Sequence, residues 1–175
     1  SPMPTRERRH EIRRAQQIHW RGPIHRRDRL RCGCAYVSQV GIIGAVGAIA
    51  VRNKRILSTG YNGAPAGAKD CLELGCLRDK LRIPSGTRHE ICRAIHAEQN
   101  VIIQSGLHGV GLEGADIYCT HSPCNLCAKM LVNARIKSFA TCTKYADDSF
   151  KPLFKEVGIG FRIISRPSLV ITALD

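Results

Sequence analysis

His96-Ala97-Glu98, read together with Pro123-Cys124-Asn125-Leu126-Cys127, decides how this chain is understood. The second stretch supplies two thiols three positions apart. The first supplies one imidazole, with a carboxylate two residues on. One His and two Cys make a three-ligand zinc set with its fourth position open, whereas a closed structural site normally takes four protein ligands. Glu98, a carboxylate beside water at such an ion, is placed to move protons. Each half is weak alone, because redox pairs and structural zinc sites also use Cys-x-x-Cys. Together, with Pro directly before the first Cys and each segment at the start of a helical pattern, they specify a catalytic metal site.

The 175 residues suffice for one compact domain with a real core. No run reaches 18 apolar residues, so no membrane span is expected. The basic start lacks the apolar core of a signal peptide. Nine Cys, an odd number, point with the metal pattern to reduced thiols and a cytoplasmic setting. The formal charge of +13 favours anionic partners such as nucleotides, nucleic acid or phosphate-rich surfaces.

Residues 1–31 form a basic arm with ten Arg against three acidic residues. Ile12, Ala15 and Ile18 suggest one face of a short helix that Gly22-Pro23 stops. Trp20 is the arm's one aromatic, whereas base stacking calls for several. A helix with a solvated basic face is therefore favoured over a nucleic-acid-binding arm. Residues 32–175 make the main domain. Val46 to Val51 and Ile56 to Thr59 read as a hairpin turning at Arg52-Asn53-Lys54-Arg55. A loop with Asn62-Gly63 follows. Helices are expected over Ile91 to Ser105, from Ser122-Pro123 onward, and over Asp147 to Val157. Strands are expected at Ala115 to Thr120, Ser138 to Cys142 and Phe161 to Ile164. Pro123 suits a first helical turn, where its missing N–H has no intrahelical partner to lose. The order implies an α/β fold, a three-layer α/β/α sandwich on a mixed five-stranded sheet. The tail from Leu169 to Leu174 is apolar enough to pack on a neighbouring subunit. No internal repeat, Walker loop or dinucleotide fingerprint occurs in the sequence.

The segment 68–92 is polar and basic and lacks apolar anchors. Cys71, Cys76, His89 and Cys92 within it have the types and spacing of a closed zinc set, which would supply an anchor. Buried thiols with a surface His are the plainer alternative, and Cys32 or Cys34 could replace one of the four.

Three stretches resemble the deoxycytidylate deaminase branch of the cytidine deaminase superfamily: Ser58 to Gly67, Cys92 to Val101, and Thr120 to Met130. Tyr145-Ala146-Asp147 is similar to a family position near the base. The resemblance covers residues 44 to 165. It implies hydrolytic deamination of dCMP to dUMP and ammonia, with water activated by zinc and Glu98 as proton shuttle. It implies His96, Cys124 and Cys127 as ligands of the catalytic zinc, with a second, structural zinc in the same chain. It places Asn62 at the deoxyribose or the neighbouring phosphate region, and Tyr145 against the pyrimidine. The backbone N–H of Ala97 falls where the base or the attacking oxygen would sit. It also implies a homo-hexamer activated by dCTP with Mg and inhibited by dTTP. The chain departs from the family before its first strand, where Tyr36 to Ile49 carries small and apolar residues in place of basic ones. Lys54, Arg55 and Lys144 are candidates for the 5′-phosphate. The competing readings are a zinc deaminase acting on cytosine or adenine within nucleic acid, and a zinc-stabilised nucleic-acid-binding module without activity. The charge favours both; the open ligand set with Glu98 counts against the second.

Overall fold

The computed structural model describes residues 46–69 and 74–165. The basic arm, Cys32, Cys34, Cys71 and the apolar tail lie outside the described residues. Strands β1 (Gly47–Arg52) and β2 (Arg55–Tyr61) form the expected hairpin. Asn53 and Lys54 both have positive φ, 52° and 62°. That is the two-residue turn whose twist matches the twist of its strands. The elements β3 (Asp116–His121), β4 (Ser138–Thr143) and β5 (Gly160–Ile163) complete one sheet in the order β2-β1-β3-β4-β5. β1 is antiparallel to β2 and β3, while β3, β4 and β5 run parallel.

Alternate side chains in a strand point to opposite faces, and the central strands bury both. Ala48, Ala50, Ile117, Cys119 and Phe139 enter the larger core, whereas Ile49, Val51, Tyr118 and Ala140 line the other face. This double burial explains why these strands read as near-continuous apolar runs.

Three connections then fix the helices. The helix α2 (Ala97–Leu107) links β2 to β3, α3 (Asn125–Asn133) links β3 to β4, and α4 (Phe150–Glu156) links β4 to β5. A one-turn helix α1 (Leu77–Lys80) lies earlier, between β2 and α2. Each of the three links joins parallel strands and steps the same way across the sheet. Right-handed crossovers therefore bring α2, α3 and α4 to one face. Val101 of α2, Ala128 and Leu131 of α3, and Phe150 and Phe154 of α4 meet there in the larger core. All four phenylalanines of the chain gather at its far side, Phe150 edge-on to Phe154 and Phe161 with ring centres 5.3 and 4.9 Å apart. Each such ring contributes about 1.5–3 kcal/mol by leaving water.

The helix expected from Ile91 begins at Ala97 instead. Gly63 and Ile95 exchange both backbone hydrogen bonds, at 3.1 and 2.8 Å, and this pairing holds the approach to the helix extended. A separate 3₁₀ turn covers His89–Ile91. The fourth helix likewise starts at Phe150 rather than Asp147, because the Asp147 carboxylate accepts the Ser149 N–H and hydroxyl and forms a local turn.

Gly60 sets the distance between β2 and α2. A Cβ there would overlap the Ala97 carbonyl oxygen and stand 2.6 Å from the Val101 nitrogen, both unyielding backbone atoms. Gly60→Ala should therefore lower the urea midpoint, with a cost on the order of 1–3 kcal/mol from overpacking. An unchanged midpoint would show that α2 can retreat from the sheet freely.

Candidate metal and proton-transfer site

The site forms where strand ends and helix starts converge. β2 ends at Tyr61, β3 leads into Cys124 and β4 leads into Tyr145, all at one edge of the sheet. In open α/β sheets, ligands bind beyond the carboxyl ends of the strands. His96 caps the N-terminus of α2 in extended conformation, φ −71° and ψ 156°. Its N–H donates to Gln99 Oε1 at 2.8 Å, which fixes the first turn. Asn100 Nδ2 donates to the Tyr61 carbonyl at 2.6 Å and ties the same turn to β2. Cys124 caps α3 in the same way, φ −75° and ψ 167°. The two caps face each other.

His96 Nδ1 lies 3.6 Å from Cys124 Sγ and 3.3 Å from Cys127 Sγ. Tetrahedral zinc with bonds of about 2.3 Å to sulfur and about 2.0 Å to nitrogen requires N···S separations of about 3.5 Å. The three donor atoms therefore fit one zinc ion without rearrangement. Among the described residues, this is the one group of three His, Cys, Asp or Glu side chains so gathered.

The local electrostatics suit a cation. The hydrogen bond with Cys127, aided by His96, holds Cys124 down at about 4 despite its burial. Cys127 keeps the shared proton, and that hydrogen bond together with burial pushes its thiol up. The hydrogen bond with Cys124 raises His96, while burial opposes it. Such a cluster offers one thiolate, one thiol and one imidazole as N/S donors to a metal ion. Glu98, in the first turn of α2, is buried at 4% exposure. Burial lifts its carboxyl to about 7, against the hydrogen bond of its own backbone and the charge of His96. A carboxyl so placed can hold or release a proton near neutral pH.

The remaining expected residues surround this centre. Asn62 Oδ1 accepts the Val46 N–H at 2.8 Å, which braces the loop after β2. Ala97 is fully buried beside Glu98. Tyr145 donates its N–H to Ser122 Oγ at 2.7 Å and accepts the Gly86 N–H on its hydroxyl at 3.1 Å. Lys144 precedes it at the same edge of the sheet. Lys54 and Arg55 do not belong here. The pairing of Gly47 with Tyr61 and Arg52 with Arg55 puts their turn at the opposite end of the hairpin, about 20 Å away at 3.3 Å per residue.

Of the other set, Cys76 caps α1, Cys92 follows the 3₁₀ turn, and Cys71 lies outside the described residues. Cys76, His89 and Cys92 do not form a cluster of donor atoms among the described residues. The His89 ring lies edge-on to His96, with ring centres 5.5 Å apart. Gln99, Asn100 and Ser122 were not evident as site residues from sequence. Gln99, three positions past the helix cap, was the one with a readable signal.

With this geometry in hand, the chain can be placed. The family model "Cytidine and deoxycytidylate deaminase zinc-binding region" matches residues 33–143, and the chain belongs to that family. The deoxycytidylate deaminase of Enterobacteria phage T4 is 32% identical over 74% of this chain and 83% of its own length. That of Schizosaccharomyces pombe is 36% identical over 67% of this chain. The match spans only 36% of the S. pombe protein. Among solved structures, the dCMP deaminase of cyanophage S-TIM5 superposes with a TM-score of 0.60 at 25% identity, over 78% of this chain and 94% of that one. The mixed five-stranded sheet with flanking helices is thus the cytidine deaminase fold. Among the described residues, no helix is long and apolar enough to cross a membrane.

Cys127→Ser should leave the fold intact and remove tightly held zinc, measured by metal analysis after dialysis against a mild chelator. Zinc content equal to that of the unsubstituted protein in both Cys127→Ser and His96→Ala would show that no ion is held by these residues.

Proposed function

We propose that this chain is a zinc-dependent deoxycytidylate deaminase that hydrolyses dCMP to dUMP and ammonia. The observation that carries the reading is the meeting of His96, Cys124 and Cys127 at zinc-ligand spacing, with buried Glu98 one helical step away. The similarity to deoxycytidylate deaminases supports the choice of substrate.

Zinc held by these three residues supplies, when bound, a Lewis acid with one open position that makes water nucleophilic near neutral pH. The chain's own residues do the rest. Glu98 accepts a proton from the attacking water and delivers it to N3 of the cytosine. The oxygen adds to C4; Glu98 then takes the second proton from that oxygen, leaving the new carbonyl, and passes it to the amine as the C4–N bond breaks. Water and dCMP thus become dUMP and ammonia, with Glu98 restored. Burial of Glu98 serves both halves, since a carboxyl lifted to about 7 is neither too weak a base nor too weak an acid for these transfers. The Ala97 N–H, at the first position of α2, is free of an intrahelical partner by its place in the helix and is offered to the base or the attacking oxygen. The Tyr145 ring forms a wall for the pyrimidine, Asn62 faces the deoxyribose, and Lys144 is the remaining cation for the 5′-phosphate. Assembly as a homo-hexamer, with activation by dCTP and Mg and inhibition by dTTP, completes the reading; light scattering and assays at subsaturating dCMP test it.

A deaminase acting on single-stranded nucleic acid is the second reading, and the charge of +13 favours it. Ammonia release from dCMP, deoxycytidine, CMP, dCTP and single-stranded DNA under one set of conditions decides between the two. The expected order puts dCMP first. Preference for the DNA would overturn the small-nucleotide reading, and preference for deoxycytidine would mean that no phosphate site exists. Glu98→Gln should keep its zinc and lose at least about three orders of magnitude in turnover, within the range typical of a lost general acid–base. Normal turnover in that variant would remove Glu98 from the chemistry.

A further inference from the structure

Behind the metal ligands, one buried nitrogen stands out. His89 Nε2 makes no hydrogen bond among the described residues. A buried nitrogen without a partner is costly unless something compensates. Asp147 Oδ2 stands 4.0 Å away, and the two side chains are 11% and 14% exposed. That oxygen also accepts the Asn125 N–H at 3.1 Å. Asn125 directly follows Cys124 and opens α3, the helix that carries both thiols. The other Asp147 oxygen is held by Ser149, so the carboxylate is fixed in place. On its far side, the His89 ring stands edge-on to His96, 86° between planes, and tilts against Tyr145 at 5.7 Å.

The chain accepts strain to put His89 there. Arg88, just before it, adopts the left-handed conformation, φ 47° and ψ 52°, costly for a residue with a side chain. The Arg78 guanidinium holds this bend by donating to the carbonyls of Pro84, Thr87 and Arg88. The Tyr145 hydroxyl takes the Gly86 N–H of the same loop.

We propose that His89 is a positioning residue: paired with Asp147, it clamps the imidazole ligand His96 on α2 to the thiolate ligands on α3, keeping the two halves of the metal set in register. The inference rests on the zinc site proposed above. Each half of that set sits on a different helix start, and no backbone hydrogen bond joins the two caps directly among those described. At 4.0 Å the two side chains are in contact across a gap just beyond hydrogen-bond length. Groups that orient metal ligands from behind typically change metal affinity ten- to a hundredfold when removed. This role withdraws His89 from a closed zinc set with Cys71, Cys76 and Cys92.

The test is zinc affinity by chelator competition, with the visible spectrum of the cobalt-substituted protein, on the full chain and its variants. His89→Phe keeps a ring and loses the nitrogen. Asp147→Asn weakens the acceptor, and His89→Gln restores a donor at similar reach. His89→Phe and Asp147→Asn are each expected to weaken zinc binding at least about tenfold and to shift the cobalt bands. The double variant should be no worse than either single one, and His89→Gln should recover most of the loss. Should His89→Phe fail to fold, Asp147→Asn and His89→Gln carry the comparison. Wild-type affinity and an unchanged cobalt spectrum in Asp147→Asn would overturn the clamp. So would a double variant whose loss is the product of the single losses. A fall from two zincs to one in His89→Phe would make His89 a ligand of a second ion and overturn it as well. Absence of zinc binding in the wild-type protein would overturn the metal site itself, a result distinct from all of these.

Discussion

Two helix starts must meet within a few ångströms for this protein to hold a metal ion. Everything else in the described structure serves that constraint. His96 caps one helix and Cys124 caps the other, both extended at the cap. A residue at that position ends an irregular approach and begins a rigid element, so its side chain is aimed by both. The helices are brought together because three right-handed crossovers leave them on one face of one sheet. Gly60 lets the first of them lie against β2 at backbone distance, and the Gly63–Ile95 pairing fixes where it begins.

The charge balance at the meeting point follows from the same placement. Two thiols near a helix start, close to an imidazole, share one proton and present a thiolate where a metal ion would bind. Glu98 is drawn into the core by its helix rather than by a polar partner, and its raised proton affinity is a consequence of burial. Metal-ligand geometry and proton-transfer capacity thus have one origin, the depth at which α2 is set into the sheet. A change that lifts α2 should disturb both together.

Much of this was legible in the sequence, for identifiable reasons. The metal set was legible because two of its ligands and the carboxylate lie in short local patterns, whose chemistry depends on residue type and spacing. The strands were legible because alternation and double burial leave apolar runs such as Ala48 to Val51. The start of α2 was not, because the pairing that delays it joins residues 63 and 95, far apart in the chain. Lys54 and Arg55 looked available to a phosphate, but the hairpin register carries them to the far end of the sheet. The neighbours of His89 were also out of reach. Its ring meets His96 and Tyr145, and spacing along a chain does not tell which way a side chain turns after a left-handed residue.

The most direct test of the central claim is anomalous diffraction at the zinc edge from crystals of the zinc-loaded protein. One ion should lie about 2.0 Å from His96 Nδ1 and about 2.3 Å from the sulfurs of Cys124 and Cys127, with Glu98 beside its open position. No anomalous peak between these residues, or an ion there whose fourth ligand is a further protein side chain, would contradict the account.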